Sequence, residues 1–351
     1  MAPGFDASRR VLVDAIRARV FPAATIDVGS SAGPIWQDAF GRLSFDADSS
    51  PAALDTPFDL ASLTKPIATT TVLMRLVAAG AVRLEEPVSS CFPEWIGADR
   101  RDVTTADLLE HASGLSPRLL DAPPLGRREF EHEICAAPLE YAPRTRSTYS
   151  DLGFILLGFL AEDRGLATLA HQFEAIAAQV GAELTYGLPE ERRRHAAPTT
   201  ALPDDVRRGR VLAGEVHDNC AAALGGVAGH AGLFGTAAAV GVFAGRVLNA
   251  ARGRGDLSSP FSPELVGRFT TRSLVHGSSR ALGWDTMLTT SSCGTQMSPS
   301  AFGHVGFTGT SLWIDPSRDR YFVLLTNRAH GGGSLEQMRE VRRAFHDSVE
   351  I

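Results

Sequence analysis

The 351-residue sequence has almost no lysine: of its 34 basic residues Lys65 alone is lysine, and the rest are arginine. Arginine serves wherever a solvated positive charge is enough. A retained lysine points to an amine that must give up its proton, which a guanidinium with a pKa above ~12 does not do. Cysteine is also sparse. Cys91, Cys135, Cys220 and Cys293 are scattered with no C-x-x-C spacing, which excludes a disulfide framework and a cysteine zinc site. His132-Glu133 lacks a second histidine four residues after the first, so there is no H-E-x-x-H motif. No apolar run reaches the ~18 residues of a membrane-spanning helix. Met1 to Val20 carries Asp6, Arg9, Arg10 and Asp14 where a signal peptide would have an unbroken apolar core. The net charge of −6 argues against nucleic acid or an anionic membrane as the main partner. The expectation is a cytoplasmic protein acting on a small molecule, with no metal, no cofactor, no nucleic acid and no membrane.

What is present is ordinary globular material, 44% apolar and 21% charged, enough for one large or two interlocked domains at about 100–200 residues per domain. Residues 8–20 alternate apolar and charged positions at helical spacing. Ala23–Val28 and Pro34–Phe40 read as strands around Gly29-Ser30-Ser31-Ala32-Gly33. Pro66 to Ala79 is apolar on nearly every face and stops at Gly80, a buried helix with a glycine end. Helical patches follow at Thr104–His111, Leu152–Glu162 and Thr236–Leu248. The clusters Arg192–Arg194 and Arg207–Arg210 read as solvated loop faces. Strand character returns at Gly303–Phe307, Thr310–Asp315 and Tyr321–Thr326, and Ser334 with Gln337 forms a capping box before a last helix. Strands at both ends around a helical middle predict an α+β fold. Its antiparallel sheet is built from both termini (1–84 and 256–351) and flanked by helices, with a mostly helical region (85–255) inserted.

Ser62-Leu63-Thr64-Lys65 opens the buried helix. Residues three apart share a helical face, with Cβ atoms ~5–6 Å apart, so hydroxyl and amine can meet. The positive end of the helix favours an alkoxide and disfavours an ammonium beside it. Ser62 is therefore the candidate nucleophile and Lys65 its base.

Phe58 to Lys65 resembles the nucleophile segment of the class C β-lactamase-like, penicillin-recognising serine hydrolases. That family also holds D-alanyl-D-alanine carboxypeptidases, D-aminopeptidases and esterases. Leu108 to Leu115 is similar to its LLxHTSGL segment, and Tyr149-Ser150-Asp151 to its Tyr-Ala/Ser-Asn motif. Val216 to Asn219 and Gly225 to Phe234 resemble a later glycine-rich segment, and His304-Val305-Gly306 resembles the third motif. The resemblance runs from about residue 20 to the C-terminus. It implies a β-lactamase/transpeptidase-like fold and an acyl-enzyme on Ser62, formed from small amides or esters such as D-amino-acid or cell-wall peptides. The alternatives are a carboxylesterase with incidental β-lactam hydrolysis, and a sensor that acylates without turnover. By position, Tyr149 would move the proton to the leaving group, its pKa lowered by the neighbouring ammonium. The amides of Ser62 and Phe307 would form the oxyanion hole. Asp151, His304, Gly306, His217 and His230 would contact substrate.

Asp151 replaces the family's usual asparagine, and His304 replaces a lysine. A histidine of ordinary pKa ~6.5 is mostly neutral at pH 7.5 unless Asp151 raises it. That predicts a preference for neutral esters, with anionic substrates gaining as pH falls toward 6. Gly29 to Gly33 also matches the G-x-S-x-G elbow of another hydrolase class, but it leads into a strand where the elbow requires a helix. His111 reads as a structural histidine.

Overall fold

The computed structural model describes residues 4–119, 123–254 and 260–349. The chain runs from α1 (Asp6–Arg17) into β1 (Ala23–Ser30) and β2 (Gly33–Gly41), then through the short β3 (Phe58–Asp59) to α2 (Thr71–Ala78). Helices α3 (Thr105–Leu109), α4 (Arg127–Ala136), α5 (Asp151–Gly165) and α6 (Leu169–Val180) follow. Next come β4 (Thr185–Tyr186), α7 (Glu190–Arg193), β5 (Thr199–Thr200), β6 (Val211–Leu212), α8 (Asn219–Ala223), β7 (Leu233–Gly235) and α9 (Ala237–Ala251). Helix α10 (Pro263–Thr270) leads into β8 (Asp285–Thr286), β9 (Phe302–Val305), β10 (Ser311–Asp315), β11 (Arg320–Thr326) and α11 (Leu335–Ser348).

The main sheet has six strands in the order β2-β1-β11-β10-β9-β8. Its centre joins the two ends of the chain, β1 running antiparallel to β11 with Ala24 opposite Thr326 and Gly29 opposite Tyr321. Side chains alternate across a strand, and both faces are covered. Ala24, Ile26, Val28, Phe322 and Leu324 pack with Leu12, Met338 and Phe345 of α1 and α11. Ala23, Val323 and Leu325 face Val240, Phe243 and Val247 of α9. The expected architecture is present, an antiparallel sheet made from both termini with helices on each side.

Helix α9 lies before the boundary drawn at residue 255, yet it packs on β1 and β11. One apolar cluster also joins Phe58, Ile67 and Leu325 to Phe154, Ile176 and Val240. The core is therefore continuous between sheet and helical region, and the 255/256 boundary itself lies outside the described residues.

Helix α5 is apolar all round, with Leu152 to Ala161 buried, as befits a helix enclosed by the protein. Gly158 is needed there: a Cβ would stand 2.9 Å from the Gly229 amide nitrogen. This close approach seats the glycine-rich 225–235 segment against α5. The segment expected as one helix over 66–79 is divided into a 3-10 turn (Ala61–Leu63), a π-helical turn (Lys65–Thr70) and α2. Pro66 removes one helical donor, and the Thr71 hydroxyl donates to the Pro66 carbonyl at 3.2 Å. Both expected end signals hold: Gly80 turns with φ 71°, and Ser334 with Gln337 caps α11. Among the described residues no helix is long and apolar enough to cross a membrane.

Candidate active site

The nucleophile turn is set by Asp59, at the end of β3. Its buried carboxylate accepts from the amides of Ala61 at 2.8 Å and His217 at 2.6 Å. Burial pushes its pKa up to about 6 despite those two donors. Ala61 is held in the left-handed region, φ 47°, a conformation costing a Cβ-bearing residue roughly 1–2 kcal/mol. The strained turn leaves Ser62 reachable from solvent while the residues on either side are buried.

Lys65 is fully buried, and its ammonium donates to three acceptors. These are Ser62 Oγ at 3.1 Å, Asp151 Oδ1 at 2.6 Å and the His230 carbonyl at 3.0 Å. Tyr149 donates its hydroxyl to Ser62 Oγ at 2.6 Å. Asp151 opens α5, capped by Ser150, so its charge sits at the positive end of that helix. Ser62, Lys65, Tyr149 and Asp151 thus form one connected network, spanning a turn, a loop and a helix start.

The electrostatics reverse two expectations. Burial pulls the Lys65 pKa down, but Asp151 and Tyr149 together push it further up, so the net direction is upward. The Tyr149 phenol is raised as well, by burial and then by Asp151, against the weaker pull of Lys65. The expected lowering fails for Tyr149 because burial, then the Asp151 carboxylate, raises the phenol, and for Lys65 because the Asp151 carboxylate and Tyr149 outweigh burial. At rest the site holds an ammonium and a neutral phenol, both donating to Ser62 Oγ.

A cavity of about 240 Å³ opens in front of Ser62, lined among others by Asp151, His217, Asp218, His230 and Phe307. His230 shares a proton with Asp218 (Nε2 to Oδ1, 2.7 Å). His217 stacks on Phe307, ring centroids 5.4 Å apart, and burial lowers its pKa to about 4, leaving a neutral ring. His304 and Gly306 are buried beside the cavity and not on its wall. The His304 ring lies 6.0 Å from that of Tyr149. Burial, Arg280 and Lys65 drive its pKa well below the usual histidine value. Asp151 is not among the groups that shift it, and the expected gain of anionic substrates toward pH 6, drawn from an ordinary histidine pKa, loses its basis.

On the sheet side, the 306–310 turn is fastened to the nucleophile turn. Thr308 and Thr310 hydroxyls donate to the carbonyls of Asp59 and Leu60 at 2.8 and 3.0 Å. A Cβ on Gly306 would stand 2.7 Å from the Leu60 carbonyl oxygen, so only glycine allows this approach. The Phe307 amide donates in none of the backbone hydrogen bonds outside helices and strands among the described residues.

Three further residues shape the site. Besides Asp59, Arg280 places its guanidinium 5.4 Å from the Tyr149 ring centroid. Arg207, expected in a solvated cluster, instead chelates the buried Asp205 and donates to the Val216 and His217 carbonyls at 2.7 and 3.0 Å. His111 Nδ1 accepts from the Ser150 amide at 3.0 Å and so steadies the Tyr149 segment. Gly29 to Gly33 forms the β1–β2 hairpin turn, with the Ser31 hydroxyl donating to Asp319 at 2.9 Å. It borders a second cavity of about 340 Å³ between this hairpin and α9, with no histidine or lysine on its walls.

Comparison with known proteins accords with this arrangement. The family described as Beta-lactamase matches residues 11–346. An Escherichia coli (strain K12) protein named "Putative D-alanyl-D-alanine carboxypeptidase" is 30% identical over 309 residues, 80% of this chain and 70% of its own. A penicillin-binding protein homologue from Caulobacter crescentus has the same fold, with a TM-score of 0.76, 19% identity and 99% and 98% of the two chains covered. So does a family VIII carboxylesterase, with a TM-score of 0.73, 20% identity and 99% and 97% covered. The chain belongs to the beta-lactamase family and is a serine hydrolase of that family.

Proposed function

We propose that this enzyme hydrolyses small amides and esters through an acyl-enzyme on Ser62, with D-amino-acid peptides of cell-wall type as the leading substrate class. The observation that carries the reading is the convergence of Tyr149 OH and Lys65 Nζ on Ser62 Oγ, at 2.6 and 3.1 Å, beside a cavity. Ser62 Oγ attacks the carbonyl carbon, and its proton passes to Lys65 in its amine form. Tyr149 hands a proton to the departing nitrogen or oxygen and then accepts one from the water that attacks the acyl-enzyme, while Lys65 returns its proton to Ser62 Oγ as the ester bond breaks. The amides of Ser62 and Phe307 receive the oxyanion.

Arg280 favours substrates with a carboxylate on the leaving-group side, because it supplies a cation next to Tyr149 where His304 is neutral. The carboxypeptidase name of the E. coli relative points the same way. Cytoplasmic placement is part of the proposal and is in keeping with four free thiols; recycled fragments or small esters fit it better than intact murein.

The test is a fluorophosphonate probe followed by peptide mapping. Label on the peptide containing Ser62, lost in Lys65→Arg although that protein remains folded, is the expected result. Label at Ser31, or Lys65→Arg turnover within tenfold of wild type, would overturn it.

A further inference from the structure

Two arginines hold the carbonyls of the 306–310 turn. Arg342 of α11 is 5% exposed and donates through Nη2 to the carbonyls of Gly306 at 2.8 Å and Thr310 at 2.9 Å. Arg328, just past β11, donates to the Phe307 carbonyl from Nε at 3.2 Å and Nη2 at 2.7 Å, and to the Gly333 carbonyl at 3.1 Å. Its guanidinium also lies 4.7 Å from the Phe307 ring centroid. Among the described residues neither arginine has a carboxylate partner, and burial with the neighbouring Arg328 charge pulls the Arg342 pKa down to about 9. Two cations side by side in the interior, bonded only to backbone oxygens and with the Arg342 Nε left without a partner, are expensive to bury. A fold needing only to fill this space would use apolar residues.

The geometry of one peptide plane shows what they accomplish. No cis peptide bond occurs among the described residues, so in the Gly306–Phe307 unit the carbonyl and the amide N–H point in opposite directions. Holding the Gly306 oxygen toward Arg342 therefore turns the Phe307 N–H toward the nucleophile turn. A cation on the carbonyl also polarises the peptide and strengthens the same N–H as a donor.

We infer that Arg342, supported by Arg328, is a positioning residue for catalysis: it aims and polarises the Phe307 amide that receives the oxyanion. This rests on the acyl-enzyme reading above. The fold does not depend on Arg342 for these carbonyls. Gly306 O also accepts from the Gly309 amide at 3.1 Å, and Thr310 O from the Gly306 amide at 2.8 Å.

The test compares wild type, Arg342→Lys and Arg342→Met for turnover of p-nitrophenyl acetate and for affinity toward a boronic acid, which forms a tetrahedral adduct on serine. Arg342→Met is expected to lower kcat about 10–100-fold, somewhat below the ~10²–10³ of deleting an oxyanion donor outright. KM should stay within threefold, and boronate affinity should fall in step with kcat. Arg342→Lys, whose ammonium reaches one carbonyl of the two, should lie between. If Arg342→Met does not fold, the lysine variant carries the test, with about a tenfold loss in kcat expected. Wild-type kcat in a folded Arg342→Met or Arg342→Lys protein, or a loss confined to KM, would overturn the inference. A wild type without Ser62 label would defeat the acyl-enzyme reading; a wild type that labels and turns over while the variants equal it defeats only this one.

Discussion

On the helical wall of the cleft the chemistry sits in side chains: Lys65, Tyr149 and Asp151 surround Ser62 Oγ with an ammonium, a phenol and a carboxylate. On the sheet wall it sits in the backbone. There the Phe307 amide is the proposed oxyanion donor, and Arg328 and Arg342 grip carbonyls of the same turn. In the proposed reaction the first wall moves protons and is tuned by charges in contact, while the second receives charge and is tuned by where peptide planes are fixed. Substitutions on the two should leave different kinetic signatures.

The largest effect is expected on the proton-moving wall. Tyr149→Phe keeps the ring that packs against His111, centroids 4.8 Å apart, and removes only the hydroxyl. General acid–base groups contribute about 10²–10⁴-fold, so kcat should fall by that range with a much smaller change in KM. Steady-state kinetics on one ester and one amide would check it. A rise in KM at constant kcat would place Tyr149 among substrate-binding groups and erase the distinction between the walls.

This division also accounts for what the sequence made legible. Ser62, Lys65 and Tyr149 stand in motifs whose side chains are the chemistry, and the lone lysine singled itself out by composition. Strands β1, β10 and β11 were readable as short apolar runs buried on both faces, and β2, largely exposed at the sheet edge, from the turn residues that precede it. The division of the 66–79 segment was not, since a π-helical turn has no local sequence signature apart from Pro66. Asp59 and Arg342 went unseen because each works on a backbone group far off in the chain, Asp59 on the amide of His217 and Arg342 on the carbonyl of Gly306. Arg280 was hidden by the abundance of arginine. The pKa directions of Lys65 and Tyr149 were misjudged for a related reason. The helix end and the neighbouring cation are visible in the local motifs, whereas the burial of Tyr149 and the 2.6 Å contact of Lys65 with Asp151 arise only where α5 meets the Ser62 turn.

Asp151→Asn sharpens the contrast by changing charge with little change of shape. Asp151 raises the pKa of both Lys65 and Tyr149. Removing its charge lowers both, so the amine form of Lys65 becomes populated at lower pH. An adjacent opposite charge typically shifts a pKa by about 1–3 units. The rising acid-side limb of kcat/KM should therefore move about 1–3 pH units toward acid, with activity at neutral pH increased. A limb that stays in place, or moves toward alkaline pH, would show that the titrating base is not Lys65.

The smallest effect is expected on the sheet wall, where the groups facing substrate hold no titratable charge near neutrality. His304 is kept neutral by burial and by the Arg280 and Lys65 charges, with a pKa well below the usual ~6.5. Its folded pKa is depressed, so it stays neutral as pH falls through the usual histidine range, and no group facing substrate on this wall changes charge between pH 5.5 and 8.5. The ratio of kcat/KM for nitrocefin, which bears a carboxylate, to that for neutral p-nitrophenyl acetate should then stay flat within about twofold across that interval. What attraction the anionic substrate enjoys comes from the Arg280 guanidinium beside Tyr149. Arg280→Gln should lower the ratio by about tenfold, a step of roughly 1.4 kcal/mol, equally at every pH. A wild-type ratio climbing as pH falls toward 6 would restore His304 as the titrating group. An unchanged ratio in Arg280→Gln would mean that its guanidinium, 5.4 Å from the Tyr149 ring, faces no substrate carboxylate.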